Sequence, residues 1–210
     1  RFGTLLALAG ILVLTPDTLV IRLSGLERWT LMGWRGLLMG VASLAIWWVL
    51  FTRQPWHDLR TIVTWQGLLV IGTFSLNSVT FTLGIVETSA SVVLTAVATM
   101  PVFAAILSAV LLHERQGWQG WLAIFAAMAG VGIVVADGSS AIGQPEGSVM
   151  LGALYGVLTA IGLAVTFTFA RKYPWLAILP AAAFGAFVSG MIGLSIAEQD
   201  KIFDVPLWTV

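Results

Sequence analysis

The sequence predicts an all-α polytopic membrane protein, and three observations lead to this prediction. Hydrophobic residues make up 59% of the 210 residues and charged residues only 10%, which leaves too little polar surface to cover a soluble domain of this size. Uncharged stretches of about 20 residues recur along the chain, and each could cross a hydrocarbon layer about 30 Å thick as a helix. Charged residues are concentrated in the short segments between these stretches, as in the turn His113-Glu114-Arg115.

Counting the uncharged stretches predicts seven membrane spans. They cover residues 2–23, 29–51, 62–84, 88–112, 118–136, 149–170 and 174–197. The longest connection, residues 138–148, is rich in Gly, Ser and Pro, a composition typical of a flexible loop. It separates a unit of five spans, residues 1–137, from a unit of two, residues 149–210. Because five is odd, a second copy of the first unit would lie inverted in the bilayer, so we expect the second unit to begin an inverted repeat.

Composition and motifs argue against several other classes of function. The zero net charge and the lack of a basic run disfavour a nucleic-acid partner, and the lack of cysteine excludes disulfides and thiolate metal sites. The two histidines lie in connections, and the segment beginning His113-Glu114 lacks the second histidine of a zinc protease motif. We therefore expect no enzymatic activity, no metal and no cofactor.

The distribution of Lys and Arg predicts the orientation in the membrane. With the N-terminus in the cytoplasm, six basic residues fall in inside connections and three in outside ones, and such a bias favours this orientation in a cell inner membrane. The inside residues are Arg1, Arg53, Arg60, Arg115, Arg171 and Lys172, and the outside residues are Arg22, Arg28 and Lys201.

Polar side chains recur on one face of three spans, at the three-to-four-residue spacing of a helix. The third span carries Thr73, Asn77 and Thr80, the fourth carries Thr88, Ser91, Thr95 and Thr99, and the sixth carries Tyr155, Thr159 and Thr166 with Gly162 on the same side. Such hydroxyls often bond to their own helix or hold helices together. Three stripes in three spans also fit a shared cavity open to substrate, in which Asn77 has the largest number of hydrogen bonds to satisfy.

Charged residues within or beside the spans are candidates for coupling or ion pairing. Asp17 follows Pro16, which disturbs the preceding helical turn and frees backbone groups to meet a ligand, so Asp17 is a candidate for the substrate cavity. Its carboxylate could also bind and release a coupling proton. The alternative is an Asp at the membrane interface that pairs with Arg22 or Arg35. Glu87 and Arg35 face the same two alternatives near the outer surface.

Two further patterns concern helix geometry. Pro101 interrupts the fourth span and predicts a kink that could serve as a hinge. Small residues four apart predict close helix packing, either within the chain or in a homodimer, and they occur at Gly36 and Gly40, at Gly152 and Gly156, and at Ala186 and Gly190.

The fourth and fifth spans also carry a family resemblance. Residues 86–135 combine a Ser/Ala-rich entry, the sequence Pro101-Val102-Phe103, the acidic Glu114 at the end of a span, and then Trp121, Gly130 and Gly132. This pattern resembles the fourth and fifth helices of EamA-type members of the drug/metabolite transporter superfamily, and Arg22 and Arg35 stand where that family commonly has basic residues.

The resemblance implies ten helices in two inverted five-helix repeats and a secondary transporter or exporter, often of amino acids or related metabolites. The chain departs from the family in two ways. It ends after the seventh span, so we expect a fragment, and it has Thr15, Pro16, Asp17 and Thr18 where the family has a Trp-Gly-Ser-Asn-like sequence.

We therefore expect a transporter of a small polar or amphipathic metabolite, amino-acid-like or drug-like, that works by alternating access in the lipid bilayer. The alternative is a structural or partner-binding membrane subunit, in which the polar stripes only hold helices together.

Overall fold

The computed structural model describes residues 26–51, 55–113, 117–138 and 148–198, and this part of the chain consists of helices joined by short turns. The helices are α1 (Arg28–Ile46), α2 (Pro55–Ile62), α3 (Trp65–Glu87), α4 (Ala90–Val97), α5 (Met100–Leu107), α6 (Trp118–Gly138), α7 (Val149–Lys172) and α8 (Ile178–Ile196). Two π-helical turns, Trp47–Phe51 and Ser108–Leu112, extend α1 and α5.

Five helical segments in the described ranges are long and apolar enough to cross a membrane, which confirms the all-α polytopic fold. They are Arg28–Leu50, Trp65–Glu87, Ala90–Leu112, Val149–Lys172 and Ile178–Ile196, and they match the second, third, fourth, sixth and seventh predicted spans. The helix α6 occupies the position of the fifth. The predicted first span and most of the predicted loop lie outside the described residues.

Capping side chains fix where several helices begin. The carboxylate of Glu27 accepts hydrogen bonds from the backbone N–H groups of Trp29 and Thr30, at 3.1 and 3.2 Å, and so caps α1. Thr64 caps α3 in the same way through Gly67 N, at 3.3 Å. This cap explains why the third span begins at Trp65 rather than at residue 62 as predicted.

The short helix α2 was not predicted from the sequence. It packs against α3 and α8, and its Thr61 hydroxyl accepts a hydrogen bond of 3.2 Å from the backbone N–H of Ala177, just before α8. Its Asp58 accepts a bond of 3.1 Å from the indole of Trp47. At eight residues it is too short to show in a search for membrane-spanning stretches, and it ties the connection after α1 to the start of α8.

The fourth span is broken in its middle, between α4 and α5. Pro101, in the first turn of α5, has no N–H to donate to the carbonyl of Val97. The chain passes through Ala98 and Thr99 with tighter bonds, including Thr99 N to Ala96 O at 3.1 Å. The predicted interruption thus falls two to three residues before the proline.

The helix α3 lies at the centre of the described bundle, in contact with α1, α2, α4, α7 and α8. It runs parallel to α8, because Phe74 faces Gly185 and Ser78 faces Ser189, so that residue numbers rise together. The turn between α7 and α8 reverses the chain, and α7 therefore runs antiparallel to α3.

Backbone contact joins α1 to α8, and glycines make it possible. A Cβ added at Gly36 would lie 2.6 Å from the Cα of Gly190, and one added at Gly193 would lie 2.6 Å from the N of Gly33. Residue numbers rise on one helix as they fall on the other, so the two helices are antiparallel. Any side chain larger than hydrogen would force them apart.

Two clusters of buried apolar side chains stabilise opposite ends of the bundle. Ile62, Val70, Phe169, Leu176 and Ala181 form the cluster at the α2 end, and Leu31, Ile85 and Val93 form the cluster at the other. The polar residues of α3 lie between these two ends.

Candidate functional site

Two pairs of threonine hydroxyls join α3 to α7. The hydroxyl oxygens of Thr73 and Thr166 lie 2.9 Å apart, and those of Thr80 and Thr159 lie 2.7 Å apart. Seven residues of helix separate the two pairs on each side, which is about 10 Å along the axis. We call this contact the α3–α7 seam, made of Thr73, Asn77, Thr80, Thr159, Gly162 and Thr166.

The hydroxyls of the seam also contact carbonyl oxygens of their own helices. Thr80 lies 2.9 Å from the carbonyl of Leu76, and Thr159 lies 2.9 Å from that of Tyr155. Each hydroxyl has one proton to donate. In each pair, therefore, one threonine donates across the seam while the other donates to its own backbone.

Asn77 lies between the two threonine pairs, near the middle of the 23-residue α3. Its side chain is 6% exposed, and in the described structure neither its Oδ1 nor its Nδ2 has a hydrogen-bond partner. Almost every buried polar side chain in a protein is hydrogen-bonded, because an unpaired one loses its contacts with water and gains nothing in return. Asn77 is therefore the most unusual polar group of the seam.

Glycine at position 162 makes room for the Asn77 amide. A Cβ added at Gly162 would overlap Oδ1 of Asn77, so no other residue fits there in this packing. Gly84 plays a similar part near the end of α3, where an added Cβ would lie 3.3 Å from the Cβ of Tyr155. The half-buried Tyr155 thus lies at the end of the seam, beyond the Thr80–Thr159 pair.

The predicted stripes of the third and sixth spans therefore face each other, while that of the fourth span divides. Thr95 is buried, but Ser91 is exposed, and the Thr99 hydroxyl donates to the carbonyl of Ala96 in its own helix at 2.7 Å. The helix α4 instead meets α7 through apolar contacts, since a Cβ on Gly156 would lie 2.5 Å from the Cβ of Ala96.

The charged candidates lie away from the seam. The guanidinium of Arg35 donates to the Thr82 hydroxyl at 3.4 Å and lies 5.5 Å from the centre of the Phe81 ring. Glu87 lies at the end of α3, 4.0 Å from Arg28, and its Oε1 accepts a bond of 3.4 Å from the backbone N–H of Ser148. Glu87 thus links three helices at one end of the bundle.

Asp17 and Arg22, which the sequence singled out for coupling, lie outside the described residues. Two polar contacts of α3 were not predicted from the sequence, namely the Arg35–Thr82 bond and the bond of 2.8 Å from Ser189 to Ser78. Besides the predicted stripe, α3 carries the polar residues Ser78 and Thr82. Helical periodicity alone did not indicate that these two residues face other helices.

A match to a known protein family covers the first part of the chain. Residues 1–136, more than half of the chain, match the model of the EamA-like transporter family. No curated protein and no solved structure matches the chain.

Proposed function

The chain belongs to the EamA-like transporter family of multi-pass membrane proteins, and on this premise we propose that it is a secondary transporter or exporter of a small polar or amphipathic metabolite. We take the substrate to be amino-acid-like or drug-like and the mechanism to be alternating access about a site near the middle of the bilayer.

The α3–α7 seam is the observation that carries this proposal. Polar groups inside a membrane protein are costly, and their placement opposite one another on two central helices is what a substrate pathway requires. Asn77 lies about 15 Å or more from either end of α3, at the depth where transporters of this general design hold their substrates. The cavity candidates on this path are Thr73, Asn77, Thr80, Tyr155 and Thr159, joined by Thr95 on α4.

The proposal includes an inverted repeat, in which the second unit begins near residue 149. The antiparallel contact of α1 with α8 supports it, because these helices hold the same place in the two units. Each of these helices also carries a pair of small residues four apart, Gly36 and Gly40 on α1 and Ala186 and Gly190 on α8.

The orientation proposed from the sequence puts the α2 end of the bundle in the cytoplasm of a cell with an inner membrane. Arg60 and Lys172 are exposed at that end, and Arg28 lies at the opposite end. Since the chain has no cysteine, His57→Cys and Arg28→Cys would each supply a single thiol for labelling. A membrane-impermeant reagent applied to intact cells should label only the Arg28→Cys variant. Labelling of only the His57→Cys variant would show that the orientation is the opposite of the proposed one.

Coupling to protons is proposed for Asp17, with Arg22, Arg35 and Glu87 as ion-pair partners or charges that hold helix ends. Asp17→Asn removes the titrating group while keeping the size of the side chain. We expect this change to abolish the pH dependence of uptake, and an unchanged response to pH would remove Asp17 from the mechanism.

The second candidate function is that of a structural or partner-binding membrane subunit. The threonine pairs of the seam favour it, since interhelical hydroxyl bonds are a common way of holding helices together. The unpaired amide of Asn77 does not favour a structural role, because it makes no hydrogen bond to another helix in the described structure.

Flux measurements separate the two functions. The complete protein is reconstituted in liposomes, and uptake of a broad panel of labelled amino acids, amphipathic amines and neutral metabolites is followed with and without it. Saturable uptake of any of them supports the transporter, and a correctly inserted protein that moves none of them supports the subunit. Crosslinking in the same liposomes tests for the homodimer.

A further inference from the structure

The Asn77 amide carries an inference about the substrate. Both of its polar atoms are buried and unpaired in the described structure, although an amide offers two donors on Nδ2 and two lone pairs on Oδ1. The neighbouring hydroxyls of Thr73, Thr80, Thr159 and Thr166 are already engaged with each other and with backbone carbonyls. The seam therefore holds one polar group that is ready to bind and several that are not.

The shape of an amide restricts what can satisfy it. Its N–H donor and its carbonyl acceptor point side by side in one plane, so a ligand must present an acceptor and a donor in the same arrangement. A carboxamide does so and forms two hydrogen bonds at once. A carboxylate would meet Nδ2 but repel Oδ1, and an ammonium group would meet only Oδ1.

The electrostatics of the seam agree with an uncharged ligand group. Its side chains are hydroxyls and one amide, whereas Glu87 lies ten residues further along α3, about 15 Å away along the helix axis. Arg35 is engaged with Thr82, on the side of α3 that meets α1. Both charged groups already have other partners in the described structure, Glu87 with Arg28 and Arg35 with Thr82.

Access to Asn77 requires the seam to part. The amide lies against Gly162, where an added Cβ would overlap it, so movement of α7 away from α3 uncovers the amide for a ligand. Such a movement breaks the two threonine pairs, and the freed hydroxyls become available to the rest of the ligand. We infer that Asn77 selects substrates that carry an uncharged carboxamide, by pairing with it in the opened seam; this inference rests on the proposed transport function.

The experiment compares molecules that differ only in this group. L-glutamine with L-glutamate, L-asparagine with L-aspartate, and nicotinamide with nicotinate are pairs of similar size. Uptake into liposomes containing the complete protein is measured for each, together with the shift each causes in the melting temperature of the purified protein. We expect at least one carboxamide to be taken up with a half-saturating concentration at least about tenfold below that of its carboxylate partner, because an unmatched buried group is rejected strongly.

Variants then assign the preference to Asn77. Asn77→Leu should abolish the difference between carboxamide and carboxylate, and so should Asn77→Ser, which keeps a small polar side chain if the leucine variant folds poorly. Ser78→Ala is the matched control, because Ser78 neighbours Asn77 but bonds to Ser189 on another helix. The control should keep the preference of the wild type.

Three results would overturn the inference. They are a preference for carboxylates, a carboxamide preference that survives Asn77→Leu and Asn77→Ser, and transport of other solutes with no carboxamide bound. In each of these the transport function itself stands. If the reconstituted protein moves no solute of the wider panel and no solute shifts its melting temperature, the proposed function falls and the inference falls with it.

Discussion

The hydroxyls of Thr80 and Thr159 lie 2.7 Å apart across two antiparallel helices, and each also lies 2.9 Å from a carbonyl of its own helix. When the helices separate, each hydroxyl can therefore donate its hydrogen bond to a carbonyl of its own helix instead. This lowers the free energy needed to separate α3 from α7, compared with a pair that would be left without partners.

A double-mutant cycle measures the strength of this contact. Thr80→Val and Thr159→Val should each lower the free energy of unfolding by about 0.5–1.5 kcal/mol, and the double variant should cost less than the sum of the two. The measurement is reversible unfolding in mixed micelles. Strict additivity would mean that the two hydroxyls do not interact in the folded protein.

Asn77→Leu should make the protein more stable. Replacing a buried unpaired amide with an apolar side chain of similar volume removes its desolvation penalty, which is about 1–3 kcal/mol. The expected result is a higher melting temperature without ligand, with Ser78→Ala as the comparison that loses a hydrogen bond. A lower melting temperature for Asn77→Leu would mean that the amide is paired in the folded protein.

Gly36→Ala should destabilise the contact between α1 and α8. The added methyl group would lie 2.6 Å from backbone atoms of α8, and overpacking of this kind costs about 1–3 kcal/mol. Gly72→Ala is the matched control, because a Cβ there meets nothing within 4 Å, and alanine should raise helix stability by up to about 1 kcal/mol. Equal melting temperatures for the two variants would contradict the backbone contact.

Pro101→Ala should make the middle of the fourth span more regular. Alanine restores the N–H that can bond to the carbonyl of Val97, and so the break at Ala98 and Thr99 should close. Amide hydrogen exchange should become slower at these residues, while exchange at the ends of the span stays the same. If Pro101 acts as a hinge, the maximal uptake rate should also fall, and an unchanged rate with slower exchange would separate the kink from the transport cycle.

Much of the fold could be predicted from the sequence, because the bilayer imposes a length and an apolar composition on every span. Six of the seven predicted spans coincide with described helices, and the first lies outside the described residues. The helix starts differ where a single side chain decides them, as at Thr64. The helix α2 was missed because it does not cross the membrane, and its position depends on contacts with Trp47 and Ala177.

The polar stripes could also be predicted, but not their partners. Helical spacing put Thr73, Asn77 and Thr80 on one face of the third span, whereas only packing shows that this face meets α7. The same spacing failed to separate Ser91, which is exposed, from Thr95, which is buried. The unpaired state of Asn77 depends on the tight approach of Gly162, and no local pattern of residues reveals such a distance.

The glycine contact between α1 and α8 has a mechanical consequence. Gly36 and Gly190 bring two backbones together with no side chain between them, so a small separation of these helices is enough to lose their contact. The hydroxyls of the α3–α7 seam, in contrast, keep carbonyl groups of their own helices as partners when the seam opens. In the proposed transport cycle we therefore expect α1 and α8 to stay in contact as the pivot of the movement, while α3 and α7 separate.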